Sequence, residues 1–555
     1  MEQKTKKMPF APVKVRREKT EKKLTERQRA AQKRQAEQNR KAAPAKGVPS
    51  AMRQQKLNPN KVRITNLIAG ELARAFAVIL KLDGPADTLM KAFFKSNPKL
   101  GSRDRTILAE AIFYALRHYS EIAWRMKPVK PERAPKVAAF LTLAMQYGVE
   151  SMGDQVLGSE KGPVTNMLGL NLEKAPPEVR AEMPFWLYEL ESKQYGEAAP
   201  KLFEASLQGA PLDLRVNTLK AKREDVIAEL AEHKVTAEPM QFSPDGIRLT
   251  DKPGLIRWPV YQEGRIDIQD EGSQLIARLV GAKRGEMVCD FCAGAGGKTL
   301  ALGALMKSSG RLYAFDINEK RLQGLTPRMR RAGLSNVHPV AIRDEKDNRI
   351  KRLRGKFDRV LVDAPCTGTG TLRRNPDLKW RLTPQELDRI NAVQKSVLEE
   401  AAKLLKPEGR IVYATCSVLQ RENQDVVNAF LESHPEFELL NATDVLAKQG
   451  VTLPDFQKEE FGDFFVMLPH RHHTDDVTGV QTCALPIFAI TPTVSLRPCC
   501  RRRKPDFISF PAKQRALSRT YRQGSDVLRE GCPKISSVRK STSWAADRMC
   551  ACIRD

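Results

Sequence analysis

Two cysteines, fifty residues apart, each end a short apolar run. Cys366 closes the run VLVDAPC and Cys416 closes the run IVYATC, and Asp363 lies three residues before the first of them. A cysteine thiolate is a strong nucleophile, whereas a lone cysteine at the end of a strand is usually a buried structural residue. Two thiols at equivalent places, one of them beside a carboxylate, argue against a purely structural role for both.

The two runs belong to a repeated pattern of strand, turn and helix between residues 266 and 475. The apolar runs are EMVCDFC, RLYAFDI, HPVAIRD, FDRVLVDAP and GRIVYATC. This alternation predicts an α/β domain with a Rossmann-like, doubly wound and mostly parallel sheet. Ligands of such a sheet bind at the carboxyl ends of its strands. The fourth and fifth strands are neighbours in the usual order, so Cys366 and Cys416 should open onto one crevice.

A glycine cluster and two acidic strand ends predict a nucleoside cofactor. The first run ends in DFCAGAGGKT, whose glycines would let the backbone approach a ligand at a helix N-terminus. The loop is not a Walker A motif, because Cys292 stands where that motif needs glycine. Asp316 follows Gly294 by 22 residues, the spacing of a carboxylate that reaches ribose hydroxyls. Asp344 either accepts from an adenine amino group or caps a helix. These residues do not separate NAD from S-adenosyl-L-methionine.

The composition favours a polyanionic partner. The chain has 555 residues, too many for one core, and 94 Lys and Arg against 66 Asp and Glu give a formal charge of +28. Such a balance favours nucleic acid, because each phosphate contact releases counterions. No run of eighteen uncharged apolar residues and no apolar leader is present, so neither a membrane span nor a secretory signal is expected. A cytoplasmic protein is predicted.

The remaining sequence divides by composition. Residues 1–63 carry 20 Lys and Arg against 5 Asp and Glu and predict a disordered basic arm. Residues 64–170 have the apolar spacing of a small helical bundle, and residues 176–265 predict a small α/β module. Cys289 and Cys292 form a C-x-x-C, but no second pair has a matching spacing, so no metal site is predicted.

Three motifs together resemble the Sun, or RsmB-like, family of RNA (cytosine-5)-methyltransferases. They are DFCAGAGGKT, DAPCTGTGTLRRNPDLKW and ATCSVLQREN. The resemblance runs more weakly through PLDLRVNTLK and IDIQDEGSQL, and the helical region is similar to the NusB-type RNA-binding bundle of bacterial members. It covers residues 64–475. One departure is Gly294-Ala295, where many members have alanine-proline, and it should leave cofactor binding intact.

The resemblance implies a class I methyltransferase that uses S-adenosyl-L-methionine. Cys416 is implied to add to carbon-6 of cytosine, which makes carbon-5 nucleophilic. Cys366 is implied to assist release of the finished base, and Asp363 to hold its ring nitrogen and amino group. Lys298 either supports Asp363 or lowers a thiol pKa, with a plain salt bridge as the alternative. The residues predicted to bind the cofactor are Cys292, Ala293, Gly294, Ala295, Gly296, Gly297, Lys298, Asp316, Asp344 and Asp363.

The implied substrate is RNA, with 16S ribosomal RNA as the first choice. A transfer RNA or another ribosomal cytosine suits the same motifs, and a non-catalytic RNA-binding assembly factor is the alternative from another class. The target base must be unstacked to reach the crevice. Arg373, Arg374 and Lys379 are predicted to contact phosphate, with solvated loop charges as the alternative. No obligate protein partner is predicted, and a monomer is expected.

The end of the chain differs from the rest. After Asp475 the sequence DVTGVQTCALPIF resembles translated sequencing-adapter sequence, and the text beyond it reads like an out-of-frame extension. The family pattern would supply a final apolar strand here. Residues 476–555 are therefore predicted to be a non-native, disordered tail without function, and the sheet is expected to have an unfinished edge.

Overall fold

The computed structural model describes residues 62–455 and 461–468 and the backbone of residues 487–492. Most of the predicted basic arm and most of the predicted tail therefore lie outside the described residues. Within the part that is described, no helix combines the length and the apolar character needed to cross a membrane.

A bundle of helices forms the first part of the described chain. Its first helix starts where the Thr65 hydroxyl caps the backbone N–H of Ile68 at 3.3 Å, and it buries an apolar face that includes Leu72 and Phe76. The periodicity predicted helices here, and the structure has them. The helices are α1 Asn66–Ile79, α2 Ala86–Ser96, α3 Ser102–Arg117, α4 Tyr119–Arg125, α5 Pro135–Tyr147, α6 Gly153–Leu157 and α7 Lys161–Leu168.

Three helices connect the bundle to a small antiparallel sheet. They are α8 Pro177–Arg180, α9 Phe185–Tyr195 and α10 Ala199–Leu207. The sheet has the order β2-β3-β1-β4 and is covered by α11, Arg223–Glu232. Its strands are β1 Leu212–Val216, β2 Ala237–Pro239, β3 Gly246–Leu249 and β4 Ile266–Ile268. The predicted module, residues 176–265, contains β1 to β3, whereas β4 follows directly after it and α9 and α10 pack against the loops of the next domain.

The largest sheet contains the five predicted parallel strands. They are β5 Met287–Asp290, β6 Arg311–Asp316, β7 Val337–Ala341, β8 Phe357–Asp363 and β9 Leu405–Ala414. Two further strands, β10 Phe437–Leu440 and β11 Ile487–Pro492, extend the sheet, and the strand order is β10-β11-β9-β8-β5-β6-β7. Strands β8 and β9 are parallel neighbours whose register pairs Asp363 with Ala414, as the sequence predicted. Both cysteine-bearing loops therefore leave the sheet side by side.

Helices cover both faces of this sheet because the strand side chains alternate between two cores. In β8, Val360 and Val362 enter one core and Leu361 enters the other, and in β9 Tyr413 and Val412 repeat the alternation. The short helix α12, Pro259–Gln262, packs on the small sheet. The helices of the larger domain are α13 Glu271–Val280, α14 Gly297–Leu305, α15 Glu319–Ala332, α16 Asn348–Lys351, α17 Leu378–Arg381, α18 Pro384–Ala402, α19 Gln424–Ser433 and α20 Ala442–Ala447.

A strand inside the predicted tail completes the sheet. Strand β11, Ile487–Pro492, runs antiparallel between β9 and β10, Phe437–Leu440. The prediction that the tail has no regular structure is wrong for these six residues, because the six-residue segment pairs with two strands that each offer a row of backbone hydrogen-bonding groups. The rest of the tail lies outside the described residues.

Candidate active site

The two cysteines meet at the carboxyl ends of β8 and β9. Their Sγ atoms lie 3.3 Å apart, and the backbone N–H of Cys416 points to the Sγ of Cys366 at the same distance. Cys366 is buried and Cys416 is half-buried. The structure thus brings together the two thiols that the sequence placed at neighbouring strand ends.

Backbone contacts hold the two cysteine loops against each other. The N–H of Gly370 donates to the carbonyl of Cys416 at 2.9 Å, and the N–H of Val418 donates to the Thr369 hydroxyl at 3.0 Å. Gly368 has a φ of 73°, and a Cβ at this position would lie 3.9 Å from the Sγ of Cys416 and 3.0 Å from Leu378. The loop after Cys366 can therefore approach the second thiol closely because it turns at a glycine.

A buried glutamate behind the thiols ties both loops together, and the sequence reasoning gave it no role. Glu422 accepts from the Thr367 backbone at 2.7 Å, from the Thr367 hydroxyl and from Gln394 at 3.1 Å. The next residue, Asn423, donates to the carbonyls of Ser417 and Leu419. Burial raises the pKa of Glu422, although these hydrogen bonds oppose the rise. The three letters REN at the end of the motif ATCSVLQREN contain Glu422 and Asn423, and they are the part of the sequence that could have indicated this role.

Lys298 pairs with Asp363 beside the thiols. Its Nζ donates to Asp363 Oδ2 at 2.7 Å. Burial alone would lower the pKa of Lys298, but the charge and hydrogen bond of Asp363, together with Cys416 and Asp290, raise it above its usual value. The ammonium is therefore charged at neutral pH. Of the alternatives stated for Lys298, the structure shows the contact with Asp363.

The thiol of Cys416 is protonated in this arrangement. Its pKa lies well above the usual value because the hydrogen bond with Cys366, burial and the charges of Cys366 and Asp363 all favour the neutral form. Lys298 acts in the opposite direction without reversing the shift. Use of this thiol as a nucleophile therefore requires a proton acceptor in the complex with substrate.

The glycine loop has the conformation that a bound nucleoside cofactor needs. The N–H of Gly294 donates to Asp316 Oδ2 at 2.7 Å, and the N–H of Asn318 donates to the other oxygen at 2.7 Å. Gly296 has a φ of 84°, and a Cβ there would lie 2.2 Å from Leu325. Helix α14 begins directly after it, at Gly297. The carboxylate of Asp316 is thus held against the glycine loop. Its sequence spacing of 22 residues from Gly294 is the one on which the prediction was based.

The residues around this loop fit S-adenosyl-L-methionine. Asp290 ends β5, is buried, and receives the Thr299 hydroxyl at 2.6 Å on one oxygen. Its other oxygen is buried without a hydrogen-bond partner among the described residues, as expected for an acceptor that meets a ligand ammonium. Burial raises the pKa of Asp290 to about 7. The carboxylate at the end of the first parallel strand was the signal for this residue, which the sequence reasoning missed.

The other predicted cofactor residues take different positions. Ala293 donates its N–H to the carbonyl of Phe315 at 2.8 Å, and Cys292 packs at the margin of a sheet core. Arg328 donates to the carbonyl of Ala295 at 2.6 Å. Asp344 is 40% exposed in its side chain, pairs with Arg343, and is not the cap of α16, which is Asp347. The helix-capping alternative for Asp344 is therefore wrong, and its contact with an adenine stays a prediction.

The cations that follow Cys366 are bound to protein groups. Arg373 is 5% exposed and donates to the carbonyls of Gln208 and Gly209, and Arg374 forms an ion pair with Asp270. Lys379 is 1% exposed. The sequence suggested that these side chains either contact phosphate or are solvated. Arg373 and Lys379 do neither in the structure, because both are buried. Their partners lie more than 160 residues away in the chain, so the local charge pattern could not reveal them.

Comparisons with known proteins agree with this geometry. The family model described as 16S rRNA methyltransferase RsmB/F matches residues 277–478, and a model described as an RsmF/B-like ferredoxin-like domain matches residues 183–254. A probable ribosomal RNA small subunit methyltransferase B of Bacillus subtilis is 30% identical over 399 residues, which are 66% of this chain and 88% of that protein. Its counterpart in a Synechocystis species is 34% identical over 55% of this chain and 68% of its own length.

A solved structure shows the same fold. The crystal structure of PH0851 matches with a TM-score of 0.63 and 26% identity over 78% of this chain and all of that one. The parallel sheet, the glycine loop and the acidic strand ends define a class I S-adenosyl-L-methionine-dependent methyltransferase. The chain belongs to the RsmB/F family of 16S rRNA methyltransferases. The family resemblance, the Rossmann-like methyltransferase fold and the cofactor expected from the sequence are confirmed, whereas the similarity of the helical bundle to the NusB type stays a prediction.

Proposed function

We propose that this protein transfers a methyl group to carbon-5 of a cytosine in 16S ribosomal RNA through a covalent cysteine adduct. The observation that carries the proposal is the pair of thiols 3.3 Å apart at the ends of β8 and β9, with the Lys298–Asp363 pair beside them. Carbon-5 of cytosine becomes nucleophilic only when a thiol has added to the ring, and a second group is then needed to assist release of the methylated base. A binding module would need neither thiol.

The steps follow from the chemistry of cytosine. Cys416 Sγ adds to carbon-6, which gives carbon-5 the electron density of an enamine. Bound S-adenosyl-L-methionine supplies the methyl group as an electrophile. Asp363 accepts from the amino group of the cytosine and from its ring nitrogen, which takes up a proton as the adduct forms, and the charged Lys298 keeps that carboxylate oriented. Carbon-5 then loses its proton to a base, the bond between Cys416 and carbon-6 breaks, and Cys366 assists this elimination.

The proton of Cys416 must leave before the sulfur attacks. Because the pKa of this thiol is raised, only a small fraction is thiolate at neutral pH. The neutral thiol of Cys366, 3.3 Å away, cannot take a second proton and favours the protonated form of Cys416, so it does not activate the nucleophile. The proton of Cys416 passes to an acceptor that the bound substrate brings, and Cys366 acts at the release step.

Trapping of the covalent intermediate tests this mechanism. Cys366→Ala should accumulate a covalent complex with 16S RNA that survives denaturing electrophoresis, because the adduct forms but is released slowly. Cys416→Ala should form none, and Cys289→Ala, which changes a thiol in the sheet core, should resemble the unmodified protein. Absence of a complex with Cys366→Ala, at unimpaired RNA binding, would rule out the covalent route.

The substrate requires a separate measurement. Bisulfite sequencing of RNA treated with the protein should show one protected cytosine in 16S RNA, since the family and the curated relatives are named for the small ribosomal subunit. The same motifs suit a transfer RNA or another ribosomal cytosine, so these RNAs belong in the same experiment. A modified cytosine found in transfer RNA alone would replace the proposed substrate and leave the chemistry standing.

A further inference from the structure

The helices between the bundle and the small sheet contact both cysteine loops. We call residues 182–207, which include α9 and α10, the bridging segment. We propose that the bridging segment positions the two thiols: Gln194 and Tyr195 fix the loop after Cys416, and the apolar side chains of α9 and α10 pack on the chain after Cys366. The proposal rests on the proposed function, because it concerns the same two sulfur atoms.

Three hydrogen bonds join α9 to the loop after Cys416. The hydroxyl of Tyr195 donates to the carbonyl of Val418 at 2.5 Å, and Nε2 of Gln194 donates to the same carbonyl at 2.8 Å. Oε1 of Gln194 accepts from the N–H of Gln420 at 2.9 Å. Val418 is two residues from Cys416, so these bonds fix the backbone that carries the attacking sulfur.

Buried polar groups attach both the bridging segment and the chain after Cys366 to the helical bundle. Lys379 is 1% exposed, and its Nζ donates to the carbonyl of Arg117 at 3.4 Å. Glu182, at the start of the bridging segment, accepts from the N–H of Ser120 at 2.8 Å. The end of α3 and the start of α4 therefore contact both segments.

Further contacts attach this chain to the helical bundle. The indole N–H of Trp380 donates to the carbonyl of Leu116 at 2.7 Å, and its ring lies 5.3 Å from that of Tyr119. The N–H of Ala86 donates to the carboxylate of Asp377 at 3.1 Å. The bundle thus contacts the catalytic domain through the chain that follows Cys366.

One apolar core connects the two halves of this arrangement. Leu372 and Leu378 from the chain after Cys366, and Val418 from the loop after Cys416, pack with Leu187 and Phe203 of the bridging segment. Both loops therefore rest on the same two helices. Movement of these helices would move the thiols relative to each other, and a misplacement of about 1 Å can cost about 100-fold in rate.

Removal of two hydrogen-bonding groups tests the proposal. The double variant Gln194→Ala with Tyr195→Phe keeps the apolar core of α9 but loses the bonds to Val418 and Gln420. We expect single-turnover methyl transfer to fall about 10- to 100-fold. RNA affinity should stay within about twofold, because both side chains are bound to the backbone of the loop itself. Tyr188→Phe is the control, because Tyr188 is on the same helix and packs on Phe203.

A second measurement reports the thiol geometry without any RNA. Dibromobimane bridges two nearby thiols, and mass spectrometry identifies the bridged pair of Cys366 and Cys416. The double variant should bridge them about tenfold more slowly than Tyr188→Phe. If the double variant lost its fold, Tyr195→Phe alone, which removes one oxygen atom, would be compared in the same way and should bridge more slowly too.

The outcomes separate this proposal from the proposed function. Transfer and bridging rates within about twofold of the control, in a folded variant, would overturn the positioning role. If the unmodified protein bridged its thiols faster than the variant but methylated no cytosine, the positioning role would stand and the proposed function would fail. Slower transfer with weaker RNA binding and unchanged bridging would assign the segment to RNA binding and also overturn the proposal.

Discussion

The reactivity of Cys416 depends on two neighbours that act in opposite directions. The hydrogen bond with Cys366 is the largest cause of the raised pKa, whereas the charge of Lys298 lowers it. A raised thiol pKa means that the reactive thiolate is scarce below that pKa and increases about tenfold for each pH unit. Substitution of either neighbour should therefore change the rate at which Cys416 is alkylated, with a sign that the structure fixes.

Alkylation by iodoacetamide measures this effect in the absence of RNA. In Cys366→Ala the rate at Cys416 should rise about 3- to 10-fold at pH 8, because the interaction that favours the thiol is removed. In Lys298→Met the rate should fall, because the thiolate loses its nearby cation. The pH at which the rate levels off should move down in the first variant and up in the second. Shifts in the same direction would contradict the assignment of these two influences.

At the scale of elements, the turn before α14 depends on one glycine. Gly296 has a φ of 84° and would bring a Cβ to 2.2 Å from the buried Leu325. Gly296→Ala should lower the free energy of unfolding by about 1–3 kcal/mol from backbone strain alone. It should also weaken S-adenosyl-L-methionine binding, because the strain moves the loop that holds Asp316.

A glycine in the next helix provides the control for this prediction. Gly324 lies in α15, where an added Cβ meets nothing within 4 Å. Gly324→Ala should leave cofactor affinity unchanged and stabilise the protein by up to about 1 kcal/mol, because alanine has the higher helix propensity. Urea unfolding and calorimetric titration would measure both variants. Equal behaviour of the two alanines would show that Gly296 is not required by the turn.

The sequence predicted those helices and strands that local residue patterns determine. Apolar runs that end in Asp316, Cys366 and Cys416 define strands and their carboxyl ends, so the sheet and the adjacent thiols could be inferred. The partners of Arg373 and Lys379 could not be inferred, because they come from segments more than 160 residues away. A sequence does not show whether a charged side chain donates its hydrogen bonds to water or to a carbonyl that is distant in the chain.

At the scale of the whole molecule, the thiols are held by parts from the entire described chain. The helical bundle contacts Asp377 and Trp380, and the bridging segment contacts Val418. The small sheet is joined to the methyltransferase domain by Arg328 and Arg331, which both pair with an aspartate of β4. Separate folding units thus meet around one crevice, and the domain boundaries in the sequence do not coincide with the limits of the active site.

A short strand from the predicted tail stabilises the largest sheet of the molecule. Strand β11 pairs with β9 through Ala414, the residue opposite Asp363, and with β10 on its other side. A chain ending at residue 475 would lack β11. The backbone N–H and C=O groups of β9 and β10 that pair with β11 would then lose their hydrogen-bond partners. Because each hydrogen bond contributes about 1 kcal/mol, loss of the two ladders should destabilise the protein by about 3 kcal/mol or more.

Two truncations decide whether the strand or the remaining tail has this effect. A chain ending at residue 492 keeps β11 and removes only residues outside the described part, so its Tm should match that of the full chain. A chain ending at residue 475 should melt several degrees lower, since about 1 kcal/mol corresponds to about 2–4 °C in a domain of roughly 150–250 residues, the size class of the methyltransferase domain. It should also lose methyl transfer at temperatures where the longer chain is active. Equal Tm values for the two truncations would show that β11 adds no stability, and the sheet would then end at β9 as the sequence suggested.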